Sequence, residues 1–250
     1  MKYLRGLILA VGLLVLWQVL VSLSGVPAFI LPGPWPVAKA LSSHLPLLSR
    51  HLLTTLTEIL LGLLLGTVLG TSSALAMILS PLLKRWMLPI LVISQAIPVF
   101  ALAPVLVLWL GYGMASKVAM AVLIIYFPVT ASFYGGMQRT DPELLELARI
   151  MGASPWAILR TIIIPSALPA FASGVRVATA VAPIGAVVGE WVGSSAGLGF
   201  YMLHANARMQ IDLMFAALSL LAAVSLLLYS CIDRLLDRLI YWQPNQGTTL

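Results

Sequence analysis

Residues 143–169 read ELLELARIMGASPWAILRTIIIPSALP, and this stretch decides what the rest of the chain must be. Glu143, Glu146 and Arg149 are interleaved with Leu144, Leu145, Ala148 and Met151 at near-helical spacing. Pro142-Glu143 opens a helix with an acid in its first turn, which suits the helix dipole. Gly152 permits a sharp exit with close backbone approach. Ser154-Pro155 restarts a helix as cap and first residue, with Trp156, Leu159, Ile163 and Ile164 as anchors. The pattern predicts two short helices at an angle, a lever on which another protein docks. An amphipathic hairpin resting on a membrane surface would explain the apolar stripe but not the turn.

The stretch lies between two long apolar runs, and the whole chain shares their character. Of 250 residues, 61% are hydrophobic and 9% charged, against about 25% charged in soluble domains. The runs reach the roughly 20 residues a helix needs to cross a bilayer core. None alternates apolar with polar as a membrane strand does. The predicted fold class is therefore all-α, a polytopic membrane protein, because helices satisfy their own backbone hydrogen bonds in lipid.

Six spans are expected, at about 7–23, 52–79, 86–110, 118–136, 167–188 and 213–232, in a single domain covering 1–250 with a loop at 137–166. Lys2 and Arg5 before an apolar run also describe a secretory signal, but Leu7–Leu23 is long for one and more spans follow. The dense Pro and Gly of 25–36 end the first span, and Val37–Leu48 reads as a short amphipathic helix on the outer surface. In the second span Gly62, Gly66 and Gly70 share one helix face, the small-residue pattern of a tight helix seam. Glu58 on the same span pairs with Arg176, lines a path or lies near the interface. The third span carries Pro89, Pro98 and Pro104 and is expected to kink. Gly111-Tyr112-Gly113 with Lys117 reads as a short outer loop, and so does the segment from Gly193 to Arg208.

Charge supports this arrangement. Nine basic residues fall on the inside: Lys2, Arg5, Lys84, Arg85, Arg139, Arg149, Arg160, Arg234 and Arg238. Four fall outside (Lys39, Arg50, Lys117 and Arg208), and Arg176 lies in a span, which accounts for all 14. That is the expected inside bias, with both termini cytoplasmic and the 137–166 loop inside. The net charge of +6 thus reflects membrane topology rather than a nucleic-acid partner. Cys231, the one cysteine, excludes an intrachain disulfide and a cysteine-rich metal site and reads as a packing residue.

Catalytic patterns are missing. A phosphate-binding loop needs Lys followed by Ser or Thr, but the four lysines precede Tyr3, Ala40, Arg85 and Val118. His44, His51 and His204 are dispersed, and no metal site is expected. The chain is not expected to be an enzyme, and transport remains. An ion-coupled carrier places ionisable groups within its spans, and here only Glu58, Arg176 and Glu190 qualify. Energy is expected to enter through the loop instead.

Glu146, Ala148, Gly152, Ile162 and Pro165 match, at the same spacing, the loop signature of permease subunits from bacterial ATP-binding-cassette importers. Leu147 and Ile164 are conservative departures from it. The resemblance extends along the chain through Leu31-Pro32-Gly33-Pro34, Ile97-Pro98 with Ala103-Pro104, Trp109-Leu110-Gly111, Phe127-Pro128, Asp141-Pro142, Gly174 with Arg176, Glu190 and Gly197-Leu198-Gly199. It is similar to the branch importing nitrate, alkyl sulfonates, taurine and thiamine pyrimidine precursors. Many members carry Arg where this chain has Glu58, which argues against the sulfonate type. Gly189–Gly193 and His204–Arg208 look most like the pyrimidine-precursor importers.

The resemblance implies a bacterial inner-membrane assembly. It would hold two copies of the permease, two cytoplasmic ATPases that carry the ATP and Mg, and an extracytoplasmic solute-binding protein. This chain would bind no cofactor of its own. Glu143, Glu146, Ala148, Met151, Gly152 and Ala153 would couple to the ATPase. Pro98, Phe100, Arg176, Pro183 and Glu190 are the candidate path residues. A sulfonate, taurine or nitrate importer is the nearest alternative, an ion-coupled carrier a more distant one, and a membrane-embedded enzyme lacks a catalytic cluster.

Overall fold

The computed structural model describes residues 2–242, and all of their side chains except those of residues 2–5 and 7. Met1 and residues 243–250 of the expected domain lie outside the described residues, and so do the side chains of Lys2 and Arg5. Among the described residues every regular element is a helix. The order is α1 (Lys2–Ser24), α2 (Pro34–Ser43), α3 (Leu45–Leu79), α4 (Pro81–Ala96), α5 (Val99–Leu110), α6 (Met114–Gln138), α7 (Pro142–Ile150), α8 (Pro155–Ile158), α9 (Ile164–Gly193), α10 (Leu198–Ala207) and α11 (Ile211–Leu239). Four uninterrupted helical stretches are long and apolar enough to cross a membrane: Leu45–Leu79, Met114–Gln138, Pro155–Gly193 and Ile211–Leu239. The bent pair α4–α5 makes a fifth candidate, and α1 offers a shorter apolar stretch, Ile8–Ser24.

Several elements differ from the sequence expectation, each for a local reason. The third span is broken rather than kinked, turning through 104° between α4 and α5. Ile97 precedes Pro98 and is forced to extended backbone, φ −89° and ψ 118°. Pro98 then supplies no N–H to continue the ladder. The helix expected over 37–48 is divided at His44, where α2 ends and α3 begins with Pro46 in its first turn. The helix restarted at Ser154-Pro155 does not stop at Pro165. A π-helical turn, Leu159–Ile163, accommodates the proline, and the Ile164 N–H reaches back to Leu159 O. The lever and the fifth span are consequently one continuous rod. The loop after that span contains α10, and 233–238, beyond the expected sixth span, completes α11. Lys117 is buried rather than in a loop: its Nζ folds back to donate to Tyr112 O (2.8 Å) and Gly113 O (2.9 Å). Cys231 is exposed on α11.

The core forms around α6, which packs between α3 and α9. Gly62, Gly66 and Gly70 of α3 face Ala121, Ile125 and Val129 of α6, and a Cβ added at Gly66 would sit 2.6 Å from Ile125 Cγ2. A neighbouring face of α6, sharing Ala121, meets a second set of glycines, from α9. A Cβ at Gly185 would lie 2.7 Å from Ala121 Cα, and one at Gly174 2.7 Å from Pro128 O. With lipid outside, such helices gain little from burying apolar surface against one another, so close backbone packing takes over. α1 is peripheral, tied by Trp17 Nε1 donating to Pro32 O (3.1 Å) and by Trp17 stacking on Phe215.

Candidate functional site

Polar chemistry gathers at the two ends of the α8–α9 rod. At the loop end, Asp141 caps α7 by accepting from the Glu143 N–H at 2.9 Å. Ser154 caps α8 by accepting from Ala157 N–H at 3.2 Å. Gly152 between them has φ +77°, the left-handed region that side chains disfavour, with nothing within 4 Å of where a Cβ would stand. Glycine is needed there for the turn, and the space in front of it is open. Glu143, Glu146, Met151 and Gly152 are exposed, Ala153 is half-buried, and Ala148 turns inward. The predicted apolar stripe is thus split between two faces of α7. Leu144, Leu147, Ile150 and Met151 point outward, the last two 78% exposed. Of the expected anchors, Trp156 is also exposed, whereas Leu159 is buried, joined by Ile158. A nine-residue helix this apolar on its outer face does not serve its own chain's core.

Further along α9, Arg176 braces α11. Its Nε donates to Asp233 Oδ1 at 2.5 Å and its Nη2 to Asp237 Oδ1 at 2.6 Å. Arg176 therefore does not pair with Glu58.

The far end is a closed polar cluster. Glu190 is 1% exposed. Its Oε1 accepts from Thr55 Oγ1 (2.6 Å), and its Oε2 accepts from the Gly199 N–H (2.5 Å) and the Phe200 N–H (3.3 Å). Thr55 Oγ1 also accepts from Leu198 N–H (2.8 Å), and His51 Nδ1 accepts from Gly197 N–H (3.1 Å). A helix exposes four unsatisfied N–H groups at its start, and here α3 and α9 jointly satisfy those of α10. Glu58, also 1% exposed, abuts Glu190, and its Oε2 has no hydrogen-bond partner among the described residues. His51 stacks on Tyr201 (5.1 Å between centroids), and Phe200 packs against His204 (4.3 Å).

The five candidate path residues fall in separate places. Pro98 and Phe100 are exposed at the α4–α5 break, Arg176 faces α11, and Pro183 and Glu190 are buried within α9's packed face. Fourteen residues separate Arg176 from Glu190, about 21 Å along a helix. Sequence reasoning singled out Glu190 but not Thr55 or His51. They lie about 140 residues from Gly197 and Leu198, and no local pattern ties them to that segment. The α9 glycines were more legible, since Gly185 and Gly189 repeat the four-residue spacing of α3.

The bundle thus carries an outward-facing helix, α7, between α6 and the α8–α9 rod. The family described as "Binding-protein-dependent transport system inner membrane component" matches residues 58–241. The chain belongs to this family. The matched region runs from Glu58 of α3 to just beyond α11, and so includes both ends of the rod. A probable ABC transporter permease of Haemophilus influenzae is 56% identical over 96% of this chain and 98% of that one. The riboflavin transport permease of Chloroflexus aurantiacus is 43% identical over 93% of this chain and 88% of its own length. The formylaminopyrimidine transport permease of Halalkalibacterium halodurans is 37% identical over 94% of both. The fold matches a chain of the MetNI methionine ABC transporter, solved in inward-facing conformations, with TM-score 0.67 at 21% identity, over 79% of this chain and 98% of that one. This permease is accordingly a multi-pass inner-membrane component of an ABC importer.

Proposed function

We propose that the chain is the translocating subunit of an ATP-driven importer for a small nitrogen-heteroaromatic solute, in the class of pyrimidines and flavins. Two copies would pair in the membrane, each with six spans and cytoplasmic termini, α1 and the α4–α5 pair included. Two partner ATPases would bind ATP and Mg, and an outer binding protein would deliver solute. Loop 137–166 would take the ATPase, with Glu143, Glu146, Met151 and Gly152 at the contact and Ala148 and Ala153 supporting the turn from behind.

The observation that carries this reading is α7: a capped helix, apolar on its free side, mounted on a rod that runs unbroken to the far end of the bundle. The two relatives whose names specify a ring compound support the solute class. Uptake by the assembled importer tests the coupling. Gly152→Asp places charge and a left-handed strain at the turn, and it should abolish ATP-driven uptake while the outer protein still binds solute. Normal uptake by that variant would sink the coupling assignment.

A further inference from the structure

The ends of α9 and α10 enclose a groove of about 330 Å³ on the side away from the loop, within the size range of small-ligand sites. Trp191, Phe200, Leu203 and His204 supply its apolar and aromatic walls. Trp191 is 51% exposed, so about half of this aromatic residue is uncovered. The hydroxyl of Ser194 is taken up locally, donating to Ala196 O and accepting from Ala196 N–H. The imidazole of His204 has no hydrogen-bond partner among the described residues and is exposed at the rim. Glu190 is among the lining residues, its carboxyl turned into the buried cluster, and no Lys or Arg lines the groove.

From these features we infer that the groove seats a flat nitrogen-heteroaromatic ring, stacked on Trp191 with His204 hydrogen-bonding a ring nitrogen or carbonyl. This rests on the solute class proposed above and adds where in the permease the solute lands. Aromatic faces stack readily on heterocycles, and a single free imidazole offers one donor or acceptor to orient them. The electrostatics select against the alternatives. A sulfonate or nitrate needs cationic or multiple N–H donors, and this groove has no Lys or Arg in its lining, while the Gly199 and Phe200 N–H groups are already engaged by Glu190. The walls are also fixed before any ligand arrives. Glu190 belongs to α9 and bonds the first turn of α10, so the two sides of the groove are joined through it. Such preorganisation lowers the cost of binding.

The test uses the purified permease–ATPase complex in nanodiscs, with tritiated riboflavin, tritiated formylaminopyrimidine and taurine as probes. Uptake into membrane vesicles carrying the complete importer is measured alongside. At least one ring compound should bind and taurine should not. Trp191→Ala should weaken ring binding about tenfold, equivalent to ~1.4 kcal/mol, whereas Trp191→Phe should keep it within about threefold. Thermal unfolding checks that each variant is folded, and His204→Leu, at an exposed position, provides an independent loss of ring binding. Ring uptake together with unchanged ring binding in both Trp191→Ala and His204→Leu overturns the groove and leaves the solute class standing. Failure of the wild-type complex to bind either ring despite ring uptake does the same. Uptake of taurine in place of both rings, or of none of the three, overturns the solute class and the groove with it.

Discussion

Substituting Gly185 by Ala tests whether α6 is held as tightly between α3 and α9 as the geometry requires. The new methyl would lie 2.7 Å from Ala121 Cα, 3.1 Å from Ala121 N and 3.3 Å from Met120 O. All three are backbone atoms, so no rotamer change can move them aside. Comfortable carbon–carbon separation is about 3.5–4.0 Å, so α9 and α6 must part by roughly 1 Å. Nor can α6 shift freely, because Gly62 of α3 is packed against Ala121 Cβ as well. Forcing an extra methyl into such a seam costs about 1–3 kcal/mol. Replacing glycine by alanine inside a helix returns up to ~1 kcal/mol through the backbone.

Gly135→Ala separates the two terms. It lies within α6, and its added Cβ would meet nothing within 4 Å, so it gains the helix term alone. The difference between the two variants isolates the collision, ~1–3 kcal/mol, or about 2–12 °C in thermal unfolding for a chain of this size. Unfolding of the detergent-purified protein measures it. A second arm fixes the cause. Ala121→Gly removes the side chain that Gly62→Ala would strike and should partly rescue that variant. It should not rescue Gly185→Ala, which meets backbone. If Gly185→Ala and Gly135→Ala unfold together, or if Ala121→Gly rescues both seam variants alike, the close-packed picture of α6 is wrong.

Gly197→Ala should be more damaging than Gly25→Ala. Both have positive φ, +108° and +61°, but a Cβ at Gly197 would run into the Glu190 carboxyl while Gly25 has open space. Backbone strain of about 1–3 kcal/mol is then joined by loss of the hydrogen bonds to a buried charge-bearing group, each worth roughly 1.5–3 kcal/mol; equal unfolding of the two variants would refute the role given to the Glu190 cluster. Arg176→Gln should destabilise by about 1 kcal/mol, as a partly exposed ion pair does, and the loss should shrink in high salt. Asp237→Asn should cost less, since Asp237 is 59% exposed, and a larger loss there than at Arg176 would show that the brace is wrongly apportioned.

How far the sequence could be read depends on whether the controlling interaction is local. The apolar runs, the Gly62 series and the Ser154-Pro155 start are short-range patterns, and each is legible from a dozen residues. The far-end cluster is not. Thr55, His51 and Glu190 acquire meaning only when α3 and α9 are known to flank one end of α10. Arg176 shows the same limit: Glu58 and Asp233 are both acids at long range, and only helix adjacency decides between them. The prolines misled in opposite directions. Pro98 breaks its span outright because nothing beside Ile97 and Pro98 restores the ladder. Pro165 breaks nothing because a π turn precedes it, and sequence spacing does not reveal that extra residue per turn.

The continuity of α8 and α9 changes what the loop can transmit. Pro155–Gly193 is 39 residues long, about 58 Å of helix. It is gripped by glycine seams along its length, braced to α11 by Arg176, and joined to α10 through Glu190. A push on α7 reaches this rod across one turn, at Gly152. Its ladder is irregular at Leu159–Ile163, where the π pattern replaces the ordinary one, and Pro169 and Pro183 each omit a donor further along. On the proposed reading, an ATPase that moves α7 would therefore tilt the rod as a unit, with any bending taken up at the π turn or at the two prolines. The groove at the far end shares Glu190 with the rod, so its two walls would travel together. Solute release would then come from exposing the groove to the other side of the membrane, as rigid-body alternating access requires, rather than from prying the walls apart.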